Sequence, residues 1–206
     1  MARLLALLLL WVAQATLIVL LVNAEWVQQQ SSVEQHRITK HMGVQRSAAM
    51  IERAQARYQD WFSATGIRQQ TYRRLLPDPS LPRTGVEGLA PWFFDWLKRR
   101  LDAFWALVFL GICRAHLFVE WAPLLMAAGA AAIIDGVVQR RIKRFNHALA
   151  SADKYVLAKC ALMVLTFVPL LYLSAPIAIT PLIVPGWGAC LTLTCMLLAS
   201  HAQHRI

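Results

Sequence analysis

Apolar positions along this chain gather into four tracts, one at the start and three in the second half, with a polar stretch between. The first tract, residues 4–22, has only Gln14 and Thr16 as polar interruptions. At about 1.5 Å rise per residue a helix over it is long enough to cross a hydrocarbon core of about 30 Å. A cleaved signal peptide is the competing reading, because Val22-Asn23-Ala24 resembles a small-residue cleavage site. Signal h-regions run to about 7–15 residues and this one is longer, so a retained anchor is expected. Arg3 and the amino terminus place its start in the cytoplasm.

Residues 24–100 read as ordinary polar protein, expected outside the membrane on the periplasmic side. Within them Ile51, Ala54, Tyr58, Trp61 and Phe62 recur at spacings of three and four, one face of a helix, with Arg53, Arg57 and Asp60 on other faces. The expectation is a helix packed on its own domain or lying on lipid headgroups. Pro77, Pro79, Pro82, Gly85, Gly88 and Pro91 then form a breaker-rich loop. Trp92, Phe93, Phe94 and Trp96 followed by Lys98-Arg99-Arg100 match an interfacial helix, aromatics at headgroup level and cations reaching phosphate.

Residues 101–138 are apolar over 101–111 apart from Asp102, are then interrupted by Arg114, His116 and Glu120, and are apolar again over 124–134. As one helix they would measure about 57 Å, about twice what a single crossing needs. Either two short spans reverse near Trp121-Ala122-Pro123, or one span follows a helix at the surface. The basic group Arg140, Arg141, Lys143 and Arg144 belongs on the cytoplasmic side, which one crossing achieves and two do not. One span over about 117–138 is therefore expected, with Lys98–Arg100 on the outer side against the usual charge bias.

Residues 156–173 form the next span and contain Pro169, a residue that membrane helices tolerate where a neighbour satisfies the freed carbonyl. Pro176 and Pro181 mark an outward turn. Residues 182–200 return, with an irregular start at Pro185-Gly186-Trp187-Gly188, and the tail 201–206 lies in the cytoplasm. The expected fold is an all-α integral membrane protein of about four transmembrane helices, with a helical periplasmic segment between the first and second. Its parts are an anchor at 1–23, the periplasmic segment at 24–100, an interfacial helix and second span at 101–138, a basic cytoplasmic loop at 139–155, and a hairpin with tail at 156–206.

Composition agrees. Of 206 residues 58% are hydrophobic and 16% charged, against about 45–50% and 25% in soluble domains. The net charge of +10 suits nucleic acid or the cytoplasmic edge of a bilayer, and the apolar tracts favour the bilayer. Cys113, Cys160, Cys190 and Cys195 all fall within apolar tracts without metal or disulfide spacing. No phosphate loop, nucleophile elbow or His-Glu-x-x-His motif occurs, and His36 and His41, five apart, do not share a helix face. No enzyme activity, cofactor or metal is expected.

Two groups remain as candidates for chemistry. Asp135, near the inner end of its span, is expected to pair with Arg140 or Lys143. His116 and Glu120 share a helix face with Arg114 nearby and are expected to form a surface ion pair at the outer boundary. A channel or transporter would instead need Arg114, His116, Glu120 and Asp135 to line a common water-filled path. The stretch Gln139-Arg140-Arg141-Ile142-Lys143-Arg144-Phe145 is expected to determine topology and meet anionic lipid, which suffices to explain it, and the alternative reading is a docking strip for a cytoplasmic protein or for passing nucleic acid.

The second half carries a resemblance. Ile134-Asp135-Gly136 before Arg140-Arg141-Ile142-Lys143-Arg144, then Tyr155-Val156-Leu157-Ala158-Lys159, then Tyr172 to Pro176 with Pro181, resembles a family of inner-membrane proteins of integrating conjugative elements and conjugative plasmids in Gram-negative bacteria. The likeness covers about the last hundred residues. Val156 stands where the family usually has histidine, and the tail ends His204-Arg205-Ile206 rather than basic-aromatic. The resemblance implies a multi-pass, non-enzymatic inner-membrane subunit of a type IV secretion system for conjugative DNA transfer, working beside the coupling ATPase or the inner-membrane complex. It supplies no molecular activity and leaves direct DNA contact open. Asp135, Arg140, Arg141, Lys143, Arg144, Tyr155 and Lys159 are the residues expected to meet a partner or lipid.

Overall fold

The computed structural model describes residues 2–76, 91–145 and 152–201. Among these the regular elements are seven α-helices and one π-helical turn. They are α1 (Ala2–Leu21), α2 (Ala24–Met42), α3 (Val44–Tyr58), the π turn (Gln59–Ser63), α4 (Ile67–Leu75), α5 (Pro91–Phe145), α6 (Ala152–Ser174) and α7 (Ile183–His201). The proline-rich loop at 77–90, part of the basic loop at 146–151 and the tail at 202–206 lie outside the described residues.

Among the described residues three helices are long and apolar enough to cross a membrane, over Trp92–Lys143, Asp153–Ser174 and Ile183–His201. A fourth crossing is reached if α1 and α2, bent by 108° between Leu21 and Ala24, count together as one span. Large apolar side chains such as Met126, Ile134 and Val164 are about two-thirds exposed (68%, 64% and 66%). In water such surface costs free energy at every position, whereas lipid accommodates it. The chain is an all-α integral membrane protein.

α5 is one element of 55 residues, about 82 Å long. The helix continues through Trp121, Ala122 and Pro123 without reversing, because an internal proline removes one N–H donor but does not by itself turn the chain. Neither do the polar side chains before it break the helix. Arg114 turns into the protein, and Nδ1 of His116 lies 3.0 Å from the carbonyl of Ile112 one turn back.

The chain divides into two compact units, each with part of α5. The first is Met1–His116 with Leu173–Pro181. Positive φ at Gly43 (84°) and Gly66 (72°), values that side-chain-bearing residues rarely adopt, separates α2 from α3 and starts α4. The buried stripe of α2 is Val27, Glu34 and Ile38, and that of α3 is Ser47, Met50 and Ala54. Tyr58 extends the α3 stripe and meets Trp105 and Phe109 of α5 edge-on, with ring centroids 6.5 and 5.6 Å away. Phe62 follows, 5.4 Å from Trp105. Trp61, expected on the same face, is 52% exposed with Arg57 over its ring. The wider π turn at 59–63 is the local change that accompanies this shift in facing.

The second unit is Leu117–Tyr172 with Leu182–Ile206. Phe118 sits edge-on to Tyr172 and to Trp187, each at 5.6 Å. At Gly136 α5 lies close against α7, since a Cβ there would fall 2.7 Å from Cβ of Ala199 and 2.8 Å from the carbonyl oxygen of Met196. Pro169 has no N–H to give the carbonyl of Leu165, four residues earlier in α6. The Nε1–H of Trp187 donates to that carbonyl at 2.8 Å, so a side chain from α7 completes the interrupted ladder of α6.

A buried carbonyl stripped of its donor costs about 1–3 kcal/mol. Trp187→Phe is therefore expected to lower stability by about that amount in thermal unfolding of detergent-solubilised protein. Adding Pro169→Ala restores a backbone donor and should recover much of the loss. A Trp187→Phe protein as stable as the parent would show that the indole bond contributes nothing.

Candidate functional site

The most constrained polar arrangement lies in the first unit and centres on Arg114. Its side chain is fully buried (0% exposed) and pairs with Glu34 of α2, itself 2% exposed. Nε donates to Oε1 of Glu34 at 2.9 Å and Nη2 to Oε2 at 2.6 Å, a two-pronged fork that matches the planar guanidinium to the carboxylate. The remaining donors reach the non-helical segment after α6, with Nη1 bonding the carbonyl of Ala175 and Nη2 that of Ile177, both at 2.6 Å.

α2 serves the same segment from its other side chains. Oε1 of Gln30 accepts from the N–H of Ala178 at 3.0 Å, and Arg37 donates to the carbonyl of Ala178 at 3.0 Å. Oε2 of Glu34 also accepts from the N–H of Ile179 at 3.3 Å. Gln30, Glu34 and Arg37 stand four and three residues apart, on one helix face. The segment holds Pro176 and Pro181 and cannot satisfy its own backbone groups as a helix would, so these side chains do it. Trp11 of α1 adds a bond from its indole to Oγ of Ser174 at 3.2 Å.

Arg114 is therefore buried, not at an outer surface as the pattern of Arg114, His116 and Glu120 suggests. Its carboxylate comes from 80 residues earlier and both groups are out of water. The signal for it was present in α2, where Glu34 falls on the stripe otherwise made by Val27 and Ile38.

A second polar contact of the first unit joins α4 to α5. The Tyr72 hydroxyl donates to Oδ1 of Asp102 at 2.5 Å. Partial burial first, then that bond and the carboxylate charge, push the Tyr72 phenol up to about 12. At the α1–α2 corner Arg100 donates to the carbonyl of Val22 at 3.0 Å and lies over the ring of Trp96.

In the second unit the candidate strip occupies the last turns of α5. Asp135 is exposed and takes a bond from Nε2 of Gln139 at 2.9 Å rather than from a cation. Arg140 is half-buried and Arg141 exposed. The side chain of Arg144 lies outside the described residues. Lys143 reaches the end of α7, where Nζ is 3.2 Å from Nε2 of His201. A lysine only donates, so Nε2 accepts and the ring hydrogen sits on Nδ1, which lies 2.8 Å from Oγ of Ser200 and 3.1 Å from the carbonyl of Leu197. His201 is buried and escaped the sequence reading because it lies at the end of an apolar run.

Tyr155 is half-buried and Lys159 exposed on one face of α6, with Ala158 between them buried. Lys143, of the expected residues, is tied to another helix through His201 of α7. In the motif Asp135-Gly136 the glycine permits close packing and the aspartate stays at the surface. All four cysteines are free. Among the described residues no three His, Cys, Asp or Glu side chains gather in a way that could hold a metal ion.

No curated protein and no solved structure matches the chain. A family model described as IncC plasmid conjugative DNA transfer protein DtrJ-like matches residues 21–203, from the last residue of α1 into the tail after α7. That match takes in the clasp around Arg114, the strip on α5 and the α6–α7 pair together, and the chain belongs to the DtrJ-like family of conjugative DNA transfer proteins.

Proposed function

We propose that the chain is a non-enzymatic subunit of the bacterial inner membrane within a conjugative type IV secretion system, supporting the coupling ATPase or the inner-membrane complex. The family match over residues 21–203 carries this reading. Its working surface is the end of α5 and the start of α6, where Arg140, Arg141, Lys143, Arg144, Tyr155 and Lys159 give a soluble partner or anionic lipid a basic face beside an apolar body. Asp135 borders that face.

The polar groups of the α5 midsection favour a scaffold over a channel or transporter. A path for ions needs charged side chains free to meet water, while Arg114 spends its donors on Glu34 and two backbone carbonyls. Asp135, the acidic group of the inner end, is held by Gln139 on an exposed face.

A photo-crosslinking amino acid placed at Arg141 in donor cells tests the reading. The expected adduct contains the coupling ATPase or another inner-membrane subunit of the transfer apparatus, and a probe at Val164 in the middle of α6 should not give it. Adducts with lipid alone at Arg141, while transfer proceeds normally, would contradict a docking role for the strip.

A further inference from the structure

Besides the clasp, the first unit contains a cleft of about 660 Å³ between the start of α2, Tyr58 of α3, Arg68 of α4 and the 99–109 stretch of α5. Small-ligand sites run to about 300–1,000 Å³, so a molecule of modest size fits. Trp105 is 4% exposed and Tyr58 and Phe109 are half-buried, which makes them the floor. Glu25, Arg68 and Arg99 are exposed and Asp102 is half-buried, which puts two cations and two anions around the mouth.

A balanced set of charges over an aromatic floor suits a ligand with both signs on one small group. A purely anionic ligand would meet the two carboxylates, and a purely cationic one the two guanidiniums. The surroundings point further. Asn23 and Glu25 line the cleft, and immediately before them in the chain Leu17, Leu20 and Leu21 of α1 are exposed at 55%, 44% and 69%. The cleft thus opens where an apolar helix surface gives way to a polar one, the level at which lipid headgroups lie. Arg100 fixes this corner through the carbonyl of Val22.

We propose that the cleft is a binding site for a zwitterionic phospholipid headgroup. The phosphodiester lies against Arg68 and Arg99, a primary ammonium against Glu25 and Asp102, and the acyl chains leave over the leucines that end α1. Arginine binds phosphate oxygens in forked fashion, and carboxylates complete the amine, so the site favours an ethanolamine headgroup over a glycerol one. This site is separate from the basic strip at the other end of α5 and does not depend on the role proposed for that strip.

The test uses the full chain, purified in detergent and stripped of lipid, titrated with dihexanoyl phosphatidylethanolamine and followed by native mass spectrometry and calorimetry. One saturable lipid per chain is expected. Arg99→Gln and Glu25→Gln should each weaken it by about tenfold, the size of one charge-assisted contact, with unchanged thermal unfolding because both side chains are exposed. Dihexanoyl phosphatidylglycerol, which lacks the amine, should bind more weakly than the ethanolamine lipid and gain rather than lose affinity on Glu25→Gln, which removes a carboxylate facing its net negative charge. Glycerophosphoethanolamine and inorganic phosphate, which lack chains, should bind more weakly still. Absence of a saturable lipid, equal affinity for the glycerol lipid, or inorganic phosphate binding as tightly as lipid would each overturn the proposal.

Discussion

Replacing Arg114 with alanine is expected to destabilise the protein by about 3–5 kcal/mol, the cost of leaving one member of a buried ion pair without its partner. Two losses add. The carboxylate of Glu34 stays at a position 2% exposed without the guanidinium fork, and the carbonyls of Ala175 and Ile177 lose the N–H groups of Arg114. Arg114→Lys should recover little, because an ammonium cannot offer two parallel bonds to Glu34 and two more to separate carbonyls. The pair Arg114→Met with Glu34→Leu removes the stranded charge but takes these side-chain bonds from the carbonyls of Ala175 and Ile177 and the N–H of Ile179, so it should fall between parent and Arg114→Ala. Thermal unfolding in detergent orders the four proteins. An Arg114→Ala protein within about 0.5 kcal/mol of the parent would mean that water reaches the pair.

Much of the architecture could be read from the chain because it depends on local pattern. The apolar run of α1, the inward face of Ala54 and Tyr58, and the two helices around Pro176 and Pro181 follow from spacing that each element carries within itself. The fate of the carbonyl freed by Pro169 could be anticipated in kind, though its donor, Trp187, lies 18 residues on in another helix. What remained hidden depends on contacts distant in sequence. Arg114 with His116 and Glu120 looked like the edge of a membrane helix, and only Glu34, 80 positions away, shows why a cation stays within a continuous helix.

The same distinction holds for the basic strip. Its residues were recognisable as a cluster, but a count of charges does not separate those that face solvent from those that pack. Lys143 meets His201 beneath the surface, while Arg141 remains exposed, so the two are expected to serve different ends. Gly136 was visible as part of a motif, and its reason is the approach of Ala199 and Met196 from α7.

Loss of transfer on removal of the gene is the second large effect expected, because the chain belongs to a family of conjugative DNA transfer proteins. The strip should account for much of it. Changing Arg140, Arg141, Lys143 and Arg144 together to alanine removes four cations, each about 1 kcal/mol of attraction to an anionic surface. It alters the α5 helix little, since alanine is the best helix former. The protein should still reach the membrane while its docking fails. Lys143→Ala alone, which frees His201 from its contact, should show as lowered stability before lowered transfer.

The role in transfer is tested by conjugative transfer frequency from a donor with a clean in-frame deletion, complemented by the parent gene or by the four-alanine variant, with membrane levels of each protein measured in parallel. Transfer should be lost on deletion, and restored by the parent but not by the variant at equal membrane level. Transfer unchanged by the deletion would contradict that role.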